Sequence, residues 1–190
     1  MEKQLESNLT EGPILKVLTK LALPIMASAF LGTAYSITDM AWIGMLGSKA
    51  VAGVGVGGMF CWFSQGFASL ARMGGQVHTA QAIGKDDRKK AKEYCRGTMQ
   101  LSILLGILYG FVCFFFAENL VGLFGLTDPV TIEYGVDYLK ITCGLIIFSY
   151  INYALTGLYT AQGDSKTPLK ANFTGLVVNM IFDSWCWAFS

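Results

Sequence analysis

Charged side chains are scarce in this sequence. Of its 190 residues 14% are charged, whereas soluble proteins carry roughly 25%, and the mean hydropathy is +0.49. The single histidine argues against zinc sites and His-based catalysis, so we do not expect an enzyme. Basic and acidic residues number 14 and 13, and a net charge of +1 argues against a nucleic-acid partner. These deficits are typical of an integral membrane protein.

Paired cysteines and a cleavable leader are also missing. The five cysteines are odd in number and show no CxxC spacing, which argues against a disulfide scaffold and favours thiols that pack as small apolar groups. The first twelve residues contain Glu2, Glu6 and Glu11 instead of a basic run, and no small-residue cleavage site follows the first apolar stretch. We therefore expect the first hydrophobic segment to be retained as a helix.

Long apolar stretches dominate what is present. A membrane-spanning helix needs about 20 predominantly apolar residues. Five stretches meet this length, and they predict spans at about 17–46, 50–83, 96–122, 133–162 and 168–190. The predicted fold class is an all-α, polytopic membrane helix bundle. Because the last stretch is still apolar at Phe189, we expect the natural protein to continue past Ser190.

Basic residues are distributed unequally between the connections, which sets the orientation. Lys49 and Lys140 lie on one side, and eleven basic residues lie on the other, in the N-terminal segment, the connection at 84–96 and the connection at 163–170. The positive-inside rule then places the N-terminus in the cytoplasm of a multi-pass protein, which we expect in the cell inner (cytoplasmic) membrane.

Two carboxylates and two amides interrupt the apolar stretches. Asp39 and Asp183 are embedded in the first and fifth spans, Asn179 precedes Asp183 by one helical turn, and Asn152 lies midway along the fourth span. An aspartate at the centre of a span costs about 2.5–3.5 kcal/mol, so it indicates a cation, a proton relay or a structural pair. The four oxygen-bearing side chains suit Na⁺ or a shared proton, although hydrogen bonding between helices also explains Asn152.

Proline and glycine mark further positions in the spans. Pro24, fifteen residues before Asp39, removes a backbone hydrogen bond and is interpreted either as a static kink or as a hinge. The spacings Gly53–Gly57 and Gly106–Gly110 are GxxxG pairs, which let helices approach closely. They indicate helix packing and say nothing about a ligand.

Several of these segments together resemble the multidrug and toxic compound extrusion (MATE) family. The resemblance runs from about Glu11 to Asp183 and rests on EGPILKVLTKLALPIMASAF, ITDMAWIGMLGSKAVAGVG, TAQAIGKDD, YTAQGDSKTPLKANF and NMIFD. The combination of TDxxxxGxLG at the end of the first span with AQGDxKTP at the end of the fourth is the most specific feature.

The resemblance implies that the chain, residues 1–190, supplies helices one to five of the six-helix N-terminal lobe of a twelve-helix transporter. The C-terminal lobe is absent from the sequence and would be a partner. The family's cation site falls on Asp39, Asn152, Asn179 and Asp183, with Asp39, Asn179 and Asp183 as metal ligands if Na⁺ is the coupling ion. The family's bending proline falls on Pro24.

The function implied by the resemblance is secondary active export of amphipathic organic compounds, driven by Na⁺ or H⁺ antiport and alternating access. No cofactor is expected besides the coupling ion, and the expected partners are membrane lipid and small organic substrates. Two alternatives stay open: a lipid-linked oligosaccharide flippase of the same superfamily, and a non-transporting membrane scaffold subunit. The flippase predicts a cationic cleft, for which Arg72 is the one embedded basic residue.

Overall fold

Seven α-helices make up the part of the chain that the structure describes. This structure is a computed structural model that describes residues 14–188, and within that range the side chains of 14, 16, 17, 20, 21 and 183–188 are not described. The helices are α1 (Ile14–Met45), α2 (Ser48–Gly84), α3 (Arg88–Phe115), α4 (Ala117–Gly122), α5 (Pro129–Gly144), α6 (Ile146–Ala161) and α7 (Lys166–Ala188).

Two of the five predicted spans are each divided into two helices. A break at Phe116 separates α3 from α4, and a break at Leu145 separates α5 from α6, with a 49° bend between the latter two. Both break residues have ψ close to 0° (16° and 5°), a sparsely populated backbone region that ends helical hydrogen bonding. By length and composition, α2 and α3 are each able to cross a membrane, and so is the bent α5–α6 pair taken as one span. The assignment of five spans stays a prediction.

The chain divides into two compact units. One unit consists of residues 40–158, and the other consists of the described parts of 1–39 and 159–190. In the 40–158 unit, α2 packs against both α3 and α5, and α3 also packs against α5. The α5–α6 segment contributes Leu139, Cys143, Ile146 and Tyr150 to the core of this unit, together with Val121 of α4.

Small residues form the buried face of α2, the helix at the centre of that unit. Its buried positions are spaced three, four or seven residues apart, and each is occupied by glycine, alanine, serine or threonine: Ala50, Gly53, Gly57, Ser64, Ala68, Ala71, Gly75, Thr79 and Ala82. Large apolar side chains such as Trp62, Phe63 and Leu70 point outward and are 80%, 67% and 67% exposed. In a bilayer this is the expected arrangement, because lipid covers large apolar groups while small ones let helices approach.

Both GxxxG pairs lie at close helix contacts. A Cβ atom added at Gly53 would lie 2.7 Å from the Thr131 carbonyl oxygen of α5, and one at Gly57 would lie 2.7 Å from the Tyr138 ring. A Cβ added at Gly110 of α3 would lie 2.8 Å from the Cys143 carbonyl oxygen. The packing role predicted for these glycines therefore agrees with the geometry.

An aspartate lies one or two residues before each helix that follows a polar connection. Asp87 accepts a hydrogen bond from the Lys90 N–H, and Asp128 accepts from the Thr131 N–H and hydroxyl and from Lys49 Nζ at 2.9 Å. The carboxylate of Asp164 accepts from the N–H groups of Lys166 and Thr167. These contacts satisfy N–H groups that a helix start leaves without partners.

Hydrogen bonding keeps these aspartates ionised. The backbone N–H of Lys90 lowers the pKa of Asp87, and the hydroxyl of Thr131 followed by the ammonium of Lys49 lowers the pKa of Asp128. At Asp164 partial burial acts to raise the pKa, but the hydrogen bonds from Thr167 and Lys166 outweigh it and the pKa is lowered. The connections are thus anchored by charged caps at neutral pH.

Candidate cation site

Helix α1 carries two side chains of the candidate site one turn apart. Tyr35 and Asp39 are four residues apart and therefore lie on one face of the helix. The neighbouring hydroxyls of Thr33, Ser36 and Thr38 each donate to the carbonyl oxygen four residues earlier, at 2.9–3.1 Å, so α1 itself satisfies them. Tyr35 and Asp39 are the other polar side chains of this stretch.

Helix α7 supplies the third member of the site. The amide nitrogen Nδ2 of Asn179, which is half-buried, donates a hydrogen bond to the hydroxyl oxygen of Tyr35 at 3.3 Å. The contact joins residues 144 positions apart in the sequence and lies within one compact unit. It brings Asn179 to the face of α1 that carries Asp39, and it engages the amide nitrogen of Asn179, not the side-chain oxygen Oδ1.

The fourth predicted residue, Asp183, lies one turn beyond Asn179 in α7. Its backbone is helical, so it shares a face with Asn179, but its side chain lies outside the described part of the chain. The predicted metal ligand set Asp39, Asn179 and Asp183 therefore stays a prediction. Among the described residues, no group of three or more His, Cys, Asp or Glu side chains is arranged to hold a metal ion.

The two remaining predicted residues, Asn152 and Pro24, lie on α6 and inside α1. Asn152 is exposed on α6, and its Oδ1 accepts a hydrogen bond from the Thr156 hydroxyl one turn later, at 3.4 Å. It belongs to the 40–158 unit, whereas Asp39 and Asn179 belong to the other. Pro24 is half-buried and lies inside α1, which continues through it from Ile14 to Met45. Its predicted action as a hinge stays a prediction.

Electrostatics around Asp39 favour a cation or a proton. No lysine or arginine occurs in residues 21–48 or 171–190, so these parts of α1 and α7 contain no basic residue. A carboxylate embedded in an apolar helix is accounted for by a proton, a cation or a structural pair. An amide oxygen and a phenol oxygen close by are hard ligands that suit Na⁺.

Tyr35 is the member of the site that sequence reasoning missed. Tyrosine is common in membrane helices, where it anchors at the interface, and nothing in its own neighbourhood marks it as a ligand. The signal that was available is its position one turn before Asp39, which places the phenol next to the carboxylate.

Several known proteins are similar to this chain. A probable multidrug resistance protein of Bacillus subtilis, YpnP, is 30% identical over 173 residues, which is 90% of this chain and 39% of the relative. A probable multidrug resistance protein of Thermotoga maritima, NorM, is 26% identical over 174 residues, which is 90% of this chain and 36% of the relative. The chain thus spans less than two fifths of the length of these relatives.

Solved structures show the same fold. A crystal structure of a MATE mutant matches with a TM-score of 0.85 at 21% identity, over 92% of this chain and 39% of that one. A MOP superfamily transporter from Pyrococcus furiosus matches with a TM-score of 0.86 at 22% identity, over 92% of this chain and 38% of that one. That transporter is described as having a binding pocket of reverse polarity, which suggests a different function. The predicted fold class, an all-helical membrane bundle like the N-terminal lobe of a MATE transporter, is confirmed.

The family assignment follows from the sequence itself. A profile of the MatE family matches residues 24–185, which includes every residue of the predicted cation site. The resemblance inferred from the motifs of α1, α2 and the α6–α7 connection is therefore confirmed, and this chain belongs to the MatE family.

Proposed function

We propose that the chain is the N-terminal lobe of a membrane exporter that drives amphipathic organic compounds outward by antiport with Na⁺ or H⁺. The observation that carries the proposal is the hydrogen bond between Tyr35 of α1 and Asn179 of α7 on the face that bears Asp39. Export of drugs is suggested by the names of the relatives, which are probable multidrug resistance proteins and indicate transport. Since the chain spans 39% of the first of these, the central cleft of the exporter requires the second lobe.

The mechanism assigns a separate task to each residue. Asp39 supplies the charge that attracts the coupling ion. The side-chain oxygen of Asn179 supplies a neutral ligand, and Asp183 and Asn152 are further candidates for an anionic and a neutral ligand. Binding of the ion changes the interaction between α1 and α7, and a ligand shifts a conformational equilibrium only through different affinities for the two states. Pro24 would let the part of α1 that carries Asp39 respond by bending.

The test is efflux by the full transporter in proteoliposomes. With a Na⁺ gradient at constant pH, and separately a pH gradient at constant Na⁺, efflux of a fluorescent organic cation identifies the coupling ion. Asp39→Asn removes the charge while keeping the size of the side chain, and we expect it to abolish gradient-driven efflux. Asp137→Asn, the same change at an exposed position of α5, is the matched control and should keep wild-type efflux. Unchanged efflux in Asp39→Asn would overturn the assignment.

The proposed orientation, in the inner membrane with the N-terminus in the cytoplasm, has its own test. In a cysteine-free background, Lys89→Cys in the basic connection and Thr127→Cys in the connection before α5 are labelled in intact cells with a membrane-impermeant maleimide. We expect Thr127→Cys to be labelled and Lys89→Cys to be protected until the cells are opened, because basic connections stay in the cytoplasm. The reverse pattern would invert the proposed topology.

A further inference from the structure

Helix α2 holds a partly buried basic group, Arg72, that the proposed cation site does not use. The side chain of Arg72 lies against α6, where a Cβ atom added at Gly157 would be 2.7 Å from Arg72 Cγ and 3.6 Å from Gln76 Oε1. Arg72 and Gln76 are one turn apart, so both face the space that Gly157 leaves open. In the described chain, Arg72 Nε and Gln76 Oε1 are buried and neither has a hydrogen-bond partner.

The register of α2 against α3 gives the depth of this group. Three contacts pair the helices in antiparallel order: Gly75 with Thr98, His78 with Tyr94, and Thr79 with Cys95. Extending this register puts Arg72 level with Leu101, which is five residues beyond Arg96 and about 7 Å deeper at 1.5 Å per residue. The uncharged stretch of α3 begins at Gly97, so Arg72 lies inside the apolar zone of this unit.

No acidic side chain of the 40–158 unit is placed to neutralise the charge of Arg72. The uncharged stretches 50–71, 97–117 and 141–162 contribute no carboxylate at this level. In the described part of the 40–158 unit, four of the carboxylates are engaged at the helix ends, in the pairs Lys49–Asp128, Arg88–Asp86, Lys90–Asp87 and Lys140–Glu118. A guanidinium with a buried Nε and no counter-ion within its unit is costly, and a basic or acidic residue inside a span marks a functional site.

We propose that Arg72 and Gln76 form a binding site for an oxyanion that carries a neighbouring hydroxyl group. Nε–H and one terminal N–H of a guanidinium form the fork that binds carboxylate or phosphate with two parallel hydrogen bonds. At Arg72 the Nε half of the fork is buried and unpaired, while the residue as a whole is partly exposed, so a ligand can reach the terminal nitrogens. The unpaired Gln76 Oε1 is an acceptor for the hydroxyl.

The chemistry fits two sources: the glycerol-phosphate headgroup of an anionic lipid and a water-soluble phosphate ester. Both present a phosphate oxyanion next to hydroxyl groups. A depth of about 7 Å beyond Arg96 is within reach of a headgroup drawn between α2 and α6, and also of a soluble anion that enters from the same end. The site lies entirely in the 40–158 unit and does not depend on Asp39 or on ion coupling.

The experiment measures binding to the purified full transporter by titration calorimetry. The probes are dioctanoyl phosphatidylglycerol, sn-glycerol 3-phosphate and dioctanoyl phosphatidylcholine, whose headgroup carries no hydroxyl and a compensating positive charge. We expect at least one of the first two to bind, with affinity about 10- to 100-fold weaker in Arg72→Gln, the range for a lost charged hydrogen bond. Arg72→Lys should recover part of the affinity, because it restores the charge without the fork. Gln76→Leu should weaken binding of the hydroxyl-bearing probes.

The controls separate this site from surface electrostatics and from misfolding. Lys89→Gln removes an exposed charge in the connection at 84–96 and should leave the affinity unchanged. If Arg72→Gln does not yield a monodisperse protein, Gly157→Ala displaces the Arg72 stem while keeping its charge, and it should weaken binding as well. Binding of the lipid alone, or of the soluble ester alone, identifies the source. The proposal is overturned if neither probe binds, if Arg72→Gln or Gly157→Ala binds like the wild type, or if Lys89→Gln loses as much affinity as Arg72→Gln.

Discussion

Gly53 offers a direct test of how closely α2 and α5 approach. A Cβ atom at this position would lie 2.7 Å from the Thr131 carbonyl oxygen, 2.9 Å from the Gly135 nitrogen and 2.9 Å from Tyr134 Cβ. Two of these three atoms belong to the α5 backbone, which cannot rotate away as a flexible side chain would. Gly53→Ala must therefore push the two helices apart or distort one of them.

The magnitude follows from comparing two substitutions on the same helix. Extra volume in a packed core costs about 1–3 kcal/mol. Alanine also stabilises a helix by about 0.5–1 kcal/mol relative to glycine, and this gain partly hides the clash. At Gly55 an added Cβ meets nothing within 4 Å, so Gly55→Ala shows the helix gain alone. The difference between the two variants isolates the clash at about 1–3 kcal/mol, or roughly 2–12 °C in Tm at 2–4 °C per kcal/mol.

The assay is thermal unfolding of the purified transporter in one detergent, followed by fluorescence-detected size exclusion. We expect Gly55→Ala to melt at or slightly above the wild-type temperature and Gly53→Ala to melt clearly below Gly55→Ala. Gly57→Ala should behave in the same way as Gly53→Ala but more mildly, because its nearest contact is the Tyr138 side chain and the nearest backbone atom, the Gly135 oxygen, is 3.2 Å away. Equal melting temperatures for Gly53→Ala and Gly55→Ala would refute the backbone contact between α2 and α5.

Two further predictions concern the connection between α6 and α7. Gly163 has a φ of +79°, which costs an L-residue about 1–2 kcal/mol, so Gly163→Ala should lower Tm by several degrees, and an unchanged Tm would contradict this backbone geometry. Asp164 has a lowered pKa, so its cap stabilises the fold fully above the ordinary value of 3.8 and is lost as the pH falls through the lowered pKa. Between pH 7 and pH 3 the Tm of the wild type should therefore fall more steeply than that of Asp164→Asn, and parallel curves would show that the cap contributes nothing.

The sequence predicts where the helices lie better than where they break. The apolar stretches correspond to the helices because a run of about 20 apolar residues has few alternatives in a bilayer. The breaks at Phe116 and Leu145 carry no such signal, since each is an apolar residue inside an uncharged stretch. Neither break is at a proline, and the glycine beside one of them, Gly144, resembles many glycines inside unbroken helices. The bend is set by tertiary packing.

Which face of α2 is buried was readable from a pattern that hydropathy does not capture. Both faces of the helix are apolar, so hydrophobic periodicity does not separate them. The absence of large side chains does, because every buried position from Ala50 to Ala82 is a small residue, whereas the large apolar side chains of α2 lie elsewhere on the helix. The GxxxG pair Gly53–Gly57 is one segment of this longer pattern. In a membrane helix, side-chain size is therefore more informative than polarity.

The hydroxyl and phenol groups of α1 differ in whether they bond to their own helix or to α7, and this decides which of them responds to movement between the helices in the proposed exporter. Thr33, Ser36 and Thr38 bond to carbonyl oxygens of their own helix, so these contacts are the same whatever α7 does. The phenol of Tyr35 bonds to Asn179 of α7, so its energy depends on the distance between the two helices. A coupling ion that draws the Asn179 oxygen toward Asp39 changes this contact, and only a contact that differs between two conformations can shift their populations. Ion binding should therefore act on α1 through Tyr35 and Asn179, with Pro24 absorbing the bend.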